Sequence, residues 1–328
     1  MITIKADKKT KKKLKEEDKK LTYEILKELN IGDTSSNEED IEKKEAIVNR
    51  KKILFLRKEF VYLFLVLFVI FGGYSGARIL LWSNDARSTE KQIEKINNEV
   101  NVEEVKDTSE TIIVNPPKEE KVQRENPYWD YIKMNLINVD FSKLKSINSD
   151  TVGWIKVNGT NINYPFVQTN DNTYYLKKDF NKKYNSAGWV FMDYRNSVKD
   201  FDKNTILYAH GRVDGTMFGS LKNITKSNWY NNSDNHVVKL STEYENTLWQ
   251  VFSIYRIPET SDYLDIDFNN NEEYVKFLEM LQNRSEYKFD VSLNEEDKIL
   301  TLSTCYKEND RVVLHAKLIK MEVRNGNN

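Results

Sequence analysis

The chain has 328 residues, of which 39% are hydrophobic and 31% are charged, and its formal net charge is −1. This size allows one substantial hydrophobic core with further segments outside it. The near-neutral charge argues against nucleic acid as the main partner, although lysines are concentrated towards the N-terminus. The single cysteine, Cys305, excludes an internal disulfide, so any fold must be stable without one.

Residues 1–58 are predicted to form a charged cytoplasmic tail. Four of its apolar residues recur at helical spacing, which makes a short amphipathic helix an alternative to a fully solvated tail. They are Leu21, Ile25, Leu26 and Leu29.

Residues 59–82 are predicted to be a transmembrane helix. The run FVYLFLVLFVIFGGYSGA, from Phe60 to Ala77, has no charge, and with the residues up to Trp82 it can cross a bilayer about 30 Å thick. A buried core helix and a signal peptide are the alternatives, but the apolar surface is continuous around the helix and the run is internal. More Lys and Arg precede the span than follow it, which predicts a single pass with the N-terminus inside.

Residues 83–126 are predicted to be an extracellular stalk, because they are polar and include Pro116-Pro117.

The folded domain is then 127–328. Short helices are expected in its first part, and eight runs rich in Val, Ile and aromatic residues follow. These are WIKV, INYPFVQ, GWVFMDY, NTILYAH, HVVKL, LWQVFSIYRI, KILTLSTC and RVVLHAKLIKMEV. Such strands predict a closed barrel or a sandwich.

One later helix is predicted between the sixth and seventh of these strands. In NNNEEYVKFLEMLQNRSEY four apolar residues recur at helical spacing, and asparagines precede them as possible N-caps. The four residues are Tyr274, Phe277, Leu278 and Leu281. The domain is therefore predicted to be mainly β-structure with a helix-bearing insertion.

Cys305 is predicted to lie in a hairpin, because only YKEND separates the last two strands. The simplest register places Cys305 opposite Arg311, with their Cβ atoms about 5 Å apart. His315 lies four residues beyond Arg311, roughly 13 Å along the strand, which is too far to serve Cys305. A structural role in the strand is favoured for His315.

His210 ends the strand NTILYAH, just as Cys305 ends its own. If these two strands are parallel neighbours, both residues reach one rim of the barrel. Cys305 would attack a carbonyl, His210 would protonate the leaving amine and Arg311 would hold the substrate or the oxyanion. An inert cysteine and a different pairing remain alternatives. No metal or other cofactor is predicted, because the histidines and the cysteine have no usual ligand spacing.

The same residues resemble a known family. TLSTC, followed by Arg311 and VVLHAKL, resembles the active-site hairpin of sortases, the membrane-anchored cysteine transpeptidases of Gram-positive bacteria. LYAHGRVDGTMFGSL resembles their catalytic-histidine segment. The stretch from Val152 to Asn196 is similar to class B members, and so is the position of the insertion. This resemblance implies an eight-stranded sortase-type β-barrel with N-terminal helices.

By this resemblance His210 is the acid and base, Cys305 the nucleophile and Arg311 the substrate or oxyanion donor, while Ser303 and Thr304 line the substrate site. Sortases cleave a cell-wall sorting motif after its threonine, form a thioacyl enzyme and transfer the protein to an amine of a peptidoglycan precursor of the lipid II type. The implied partners are membrane, surface proteins with an NPxTN-like or (S/P)PxTG-like motif, and that precursor. A peptidase or amidase that uses water, and an inactive membrane-tethered binding module, are the alternatives.

Overall fold

A computed structural model of the chain describes residues 38–117, 127–306 and 310–324, together with Glu16 and Lys20. Most of the predicted tail therefore lies outside the described residues, including the apolar group from Leu21 to Leu29. Residues 118–126 of the predicted stalk lie outside them as well. The chain divides into two compact units, Met1–Leu80 and Leu81–Asn328.

Helix α1 extends over Glu38–Glu99 and contains the apolar run. Every residue from Phe60 to Phe71 is between 38% and 76% exposed, so none of these side chains enters a protein core. Within the described part of the chain it is the one helix long and apolar enough to cross a membrane, by length and composition. Apolar exposure on all sides suits a lipid environment, so α1 is a candidate membrane span, in agreement with the sequence.

The second unit is mainly β-structure. Its strands are β1 (Val102–Val105), β2 (Thr111–Ile113), β3 (Leu136–Val139), β4 (Thr151–Val157), β5 (Asn163–Val167), β6 (Phe191–Met192), β7 (Asn204–Ala209), β8 (Val237–Thr242), β9 (Glu245–Pro258), β10 (Ile299–Tyr306) and β11 (Asp310–Val323). Its helices are α2 (Tyr128–Tyr131), α3 (Phe141–Ile147), α4 (Ser227–Tyr230) and α5 (Asn271–Asn283). Short 3-10 helices lie at Tyr174–Leu176, Gly219–Asn223 and Ser233–Asn235.

Strands β4 to β11 close into a barrel in the order β10-β7-β6-β5-β4-β8-β9-β11, and β11 pairs again with β10. These eight strands correspond to the eight runs read from the sequence, and the prediction of an eight-stranded barrel is confirmed. Closure leaves none of these strands as a free edge along the ring. Strand β2 adds to β11 beyond the part of that strand that pairs with β10, and β1 pairs with β3.

Successive side chains of a strand point to opposite sides of the sheet, so the apolar side chains of the barrel strands lie in two separate cores. Leu300 and Leu302 of β10 belong to the main core, whereas Ile299 belongs to a second cluster that includes the buried face of α5. That face consists of Tyr274, Phe277, Leu278 and Leu281. The side chain of Asn270 caps the helix by accepting a hydrogen bond from the Glu273 amide, at 2.9 Å. The predicted insertion helix is thus confirmed between the sixth and seventh barrel strands.

The segment 83–117 differs from the linker that its polarity predicts. Ile96 and Val100, at the end of α1, are buried in the main core with 4% and 6% exposure. Strands β1 and β2 pair with β3 and β11 by backbone hydrogen bonds. The sequence pattern does not predict these two strands, because each is short and largely exposed on its outer side.

Lys320 of β11 binds the segment 83–117 to the barrel through an ion pair with Asp107. Its ammonium group is fully buried and donates at 2.7 Å to Asp107 Oδ1 and to the carbonyl oxygens of Ile132 and Met134. Asp107 lies between β1 and β2, so one buried charge holds parts of the chain that are distant in sequence. A buried lysine is stable only when paired in this way.

Substitution Lys320→Met should therefore lower the free energy of unfolding by about 2–4 kcal/mol, because it leaves two carbonyls and a carboxylate without their donor. Urea denaturation of the extracytoplasmic domain measures the change. Lys276→Met is the matched control: its ion pair with Glu272 is exposed, and we expect at most about 0.5 kcal/mol. Equal effects of the two substitutions would contradict the proposed importance of Lys320.

Candidate active site

Strands β7 and β10 are parallel neighbours in the barrel. Their register runs from Asn204↔Ile299 to Ala209↔Thr304 without a shift. His210 and Cys305 each follow the last of these paired residues, so their backbones end side by side on one rim. Paired strands lie about 4.8 Å apart, which is close enough for side chains of adjacent ends to meet.

Strand β11 places Arg311 at the same rim. Antiparallel pairing with β10 sets Cys305 opposite Arg311, the register expected of the simplest hairpin. The three predicted catalytic residues thus lie on the ends of three consecutive strands of the barrel. Residues 307–309 of the hairpin loop, and the side chains of Cys305 and Tyr306, lie outside the described part of the structure.

The two residues before Cys305 have distinct contacts. The Thr304 hydroxyl is buried and donates to the Ala209 carbonyl oxygen at 2.8 Å, which ties the ends of β10 and β7 together. The Ser303 hydroxyl lies 2.9 Å from the hydroxyl of Tyr263, a residue of the insertion. Both Ser303 and Thr304 border the groove described below.

The His210 ring is half-buried and has one defined partner. Its Nε2 lies 2.8 Å from the carbonyl oxygen of Leu176. A carbonyl can only accept a hydrogen bond, so this contact places the proton on Nε2. Nδ1 is then the ring nitrogen that can exchange a proton with a reacting group.

The loop after His210 is held by its own side chains. The buried Arg212 donates through Nε and Nη2 to Asp214 Oδ2, at 2.9 and 2.7 Å. The Phe218 amide donates to the His210 carbonyl oxygen at 3.1 Å. A Cβ atom on Gly219 would lie 2.2 Å from the Arg212 carbonyl oxygen, so only glycine permits this approach. The imidazole therefore projects from a tight turn.

Arg311 is paired with a carboxylate that the sequence did not indicate. Its Nη2 lies 2.6 Å from Glu259 Oε1, just after β9, and the two side chains are 17% and 65% exposed. The pair fixes one side of the guanidinium fork and leaves further N–H groups of the arginine for other acceptors.

A groove of about 600 Å³ runs past these residues. Its lining comes mainly from four segments: Asn172 and Leu176 before β6, Tyr208 to His210 at the end of β7, Glu259 to Leu264 after β9, and the rim ends of β10 and β11. The full lining is Asn172, Leu176, Phe191, Tyr208, Ala209, His210, Glu259, Thr260, Ser261, Tyr263, Leu264, Ser303, Thr304 and Arg311. Concave sites with apolar walls and a few polar groups are typical of ligand binding.

Several of these lining residues were not recognised in the sequence. Tyr208 stands two residues before His210 in LYAH, and alternation along a strand was the available signal for it. Glu259, Tyr263 and Leu264 come from the part of the insertion before α5, where the sequence has no helix or strand pattern. Their place in the groove follows from α5 packing, since Tyr263 belongs to the same buried cluster as that helix.

His315 lies outside the groove, as its position along β11 predicts. Its ring is fully buried, with Nε2 2.8 Å from the Tyr255 hydroxyl and Nδ1 2.9 Å from the Thr301 hydroxyl. Burial lowers the pKa of His315 to about 3, and the positive charge of Arg284 contributes to this. It is a structural histidine that stays neutral.

The comparisons with known proteins agree with this geometry. A sortase-domain family model matches residues 155–319. Sortase B of Staphylococcus aureus (strain NCTC 8325 / PS 47) is 38% identical over 189 residues, covering 56% of this chain and 77% of that protein.

Two solved structures extend the comparison. The crystal structure of sortase B from B. anthracis in complex with AAEK1 is 42% identical with a TM-score of 0.52, covering 55% of this chain and 84% of that one. A Staphylococcus aureus sortase B–substrate complex is 38% identical with a TM-score of 0.52, also covering 55% and 84%. The chain belongs to the sortase family, as a class B member. It is accordingly a sortase-type enzyme with the family's transpeptidase role.

The buried His315 predicts how acid affects stability. Its pKa in the folded state, about 3, lies below the ordinary value of 6.5, so the unfolded chain binds a proton that the folded chain does not. The contribution of neutral His315 to the free energy of unfolding is complete above pH 6.5 and is lost as pH falls towards 3. Between pH 7.5 and pH 5 the wild type should lose about 2 kcal/mol more than His315→Gln. Urea denaturation at both pH values measures this, and parallel losses would contradict it.

Proposed function

We propose that this protein is a cysteine transpeptidase that cleaves a C-terminal sorting motif after its threonine and joins the protein to an amine of a peptidoglycan precursor. The observation that carries the proposal is the parallel pairing of β7 and β10, which brings the ends of two strands, with His210 and Cys305, to one rim beside Arg311. A groove of about 600 Å³ lies beside these residues and is proposed to bind the sorting peptide. Ser303 and Thr304 line it and are proposed to contact the substrate.

The first half of the proposed reaction is acylation. The Cys305 thiolate adds to the carbonyl carbon of the motif threonine, and the carbonyl oxygen takes the negative charge. Arg311 stabilises this oxyanion with a guanidinium N–H that Glu259 does not occupy. His210 then gives a proton from Nδ1 to the departing amine, the C–N bond breaks and a thioacyl enzyme remains.

The second half reverses these roles. An amine of the peptidoglycan precursor adds to the thioester carbonyl while neutral His210 takes its proton. The C–S bond breaks, Cys305 leaves as a thiolate and a new amide is released. Because the Leu176 carbonyl keeps the proton on Nε2, the same nitrogen, Nδ1, serves as acid in the first half and as base in the second.

The proposed partners are surface proteins with an NPxTN-like or (S/P)PxTG-like motif, a lipid II-type amine, and the membrane. That a Staphylococcus aureus sortase B has been solved as a substrate complex supports a substrate site in this chain. We propose a tail at 1–58 in the cytoplasm, a span at 59–82, and the rest of the chain outside the cell, with the catalytic domain at 127–328 and the segment before it packed against the barrel. Protection of the tail, but not the domain, from protease added to intact cells would test this orientation.

The fate of the acyl group tests the proposal. The extracytoplasmic domain, incubated with a sorting peptide and triglycine, should form the amine adduct in preference to the free acid, as mass spectrometry can measure. A peptidase or amidase would release mainly the free acid, and an inactive module would release neither. A small set of peptides with both motif types identifies the preferred one.

Three substitutions should separate the proposed catalytic residues from the scaffold. Cys305→Ala and His210→Ala should each abolish turnover while the far-UV spectrum and Tm stay near the wild type, because both lie at a strand end. Arg311→Lys should lower kcat/KM by about tenfold or more, because a point charge does not replace a planar fork. The exposed pair Lys133 and Asp130 provides a control: Lys133→Ala should leave the rate unchanged. Near-normal turnover by Arg311→Lys would remove Arg311 from the site.

A further inference from the structure

Asp193 follows β6 and is completely buried. Its carboxylate accepts five hydrogen bonds from three residues. Oδ1 accepts from the Arg195 amide at 3.0 Å and from Arg195 Nε at 2.8 Å. Oδ2 accepts from Arg195 Nη2 at 2.8 Å, from the Tyr208 hydroxyl at 2.9 Å and from Asn172 Nδ2 at 3.0 Å.

Two of these donors line the groove: Asn172, from the segment before β6, and Tyr208, from β7. Arg195 links the network to the segment after β9, because its Nη2 also donates at 3.0 Å to the carbonyl oxygen of Leu264, a further lining residue. One buried carboxylate is therefore connected to three lining segments, although Asp193 itself is not part of the lining.

The charge state of Asp193 suits this arrangement. Burial alone would raise the pKa of the carboxyl group, but the hydrogen bonds from Arg195 and Tyr208 together hold it below its usual range. The group is thus an anion that faces only donors. The Tyr208 hydroxyl, in turn, has its pKa raised by burial and by the nearby charge of Asp193, so it remains a donor.

We infer that Asp193 is a positioning residue for the transpeptidase reaction, which holds three lining segments of the groove, those of Asn172, Tyr208 and Leu264, at the spacing that the sorting peptide needs. The inference rests on the proposed function of the groove. Its physical basis is pre-organisation, because groove segments that are held in place before binding lose less conformational entropy when the peptide binds. Asp193 contacts neither His210 nor Arg311 in the described structure, so its effect should fall on peptide binding.

Substitution Asp193→Asn tests the inference. The amide retains one acceptor oxygen and turns an NH2 group towards Arg195 or towards Tyr208 and Asn172, so it cannot satisfy all of them. We expect KM for the sorting peptide to rise about tenfold or more, with kcat within about twofold, as when an interaction common to ground and transition states is lost. The rate at which iodoacetamide alkylates Cys305 should stay at the wild-type value.

Asp297→Asn is the matched control. Asp297 is also completely buried and accepts from Lys317 at 3.0 Å and from Asn115 at 3.0 Å, but it lies before β10, at the opposite end of that strand from Cys305. It should lower Tm at least as much as Asp193→Asn and leave KM unchanged. If KM rose in proportion to the decrease in Tm in both Asp193→Asn and Asp297→Asn, the inference would be overturned.

Arg195→Lys keeps the experiment decisive if Asp193→Asn does not fold. The Arg195 side chain is 36% exposed, and lysine retains its charge beside Asp193 but cannot also reach the Leu264 carbonyl with a planar fork. KM should again rise several-fold with little change in kcat. A wild-type KM in this variant, or in a folded Asp193→Asn, would overturn the inference.

Failure of the inference is distinguishable from failure of the proposed function. If the wild type forms no adduct with any sorting peptide, the proposed function fails. If the wild type is active and Asp193→Asn has an unchanged KM, only the role of Asp193 fails. Titration of a fluorescent sorting peptide into Cys305→Ala and into Cys305→Ala/Asp193→Asn should show the same loss of affinity without catalysis.

Discussion

The hydrogen-bonded pairing of β7 with β10 brings His210 and Cys305 to the same rim of the barrel. It joins segments that are 95 residues apart, and its last bond is the one from the Thr304 hydroxyl to the Ala209 carbonyl. Because the strands are parallel, both end at one rim, and the next residue of each is a predicted catalytic one. Closure of the barrel keeps this register, since a shift of one strand would disturb its neighbours around the whole ring.

The barrel and its loops have separate tasks in this enzyme. Strand ends supply His210, Cys305 and Arg311 at positions set by backbone hydrogen bonds. The groove walls come from irregular segments, which need other support because no sheet holds them. Packing of α5 against β9 to β11 supports the insertion, and the anion of Asp193 connects it, through Arg195 and Leu264, to the segment of Asn172. The strand ends thus present the predicted catalytic residues, and connected loops line part of the groove.

Buried polar groups elsewhere in the barrel show that burial alone does not mark an active site. His315 is held neutral between Tyr255 and Thr301, and Lys320 satisfies two carbonyls and a carboxylate. Their contacts are complete within the fold, as stability requires. Arg311 differs, because its guanidinium faces a groove and is only partly occupied by Glu259. Donors that remain available at a concave surface are what a substrate can use.

Features that depend on neighbours along the chain could be predicted from the sequence. Apolar and aromatic runs indicated the eight strands, helical spacing indicated α5, and the simplest hairpin register predicted the pairing of Cys305 with Arg311 that the structure shows. The resemblance to sortases then indicated which residues matter. Local periodicity contains this information because strands, helices and hairpins form from adjacent residues.

Contacts between distant segments emerge only when the whole chain is folded. The folded chain pairs β7 with β10, adds β1 and β2 to the domain that the sequence predicts to begin at residue 127, and places Glu259 beside Arg311. It also connects Asp193 to three lining segments of the groove. Such contacts depend on the closure of the whole barrel and on the burial of charges in it, and neither has a signature in any short stretch of sequence.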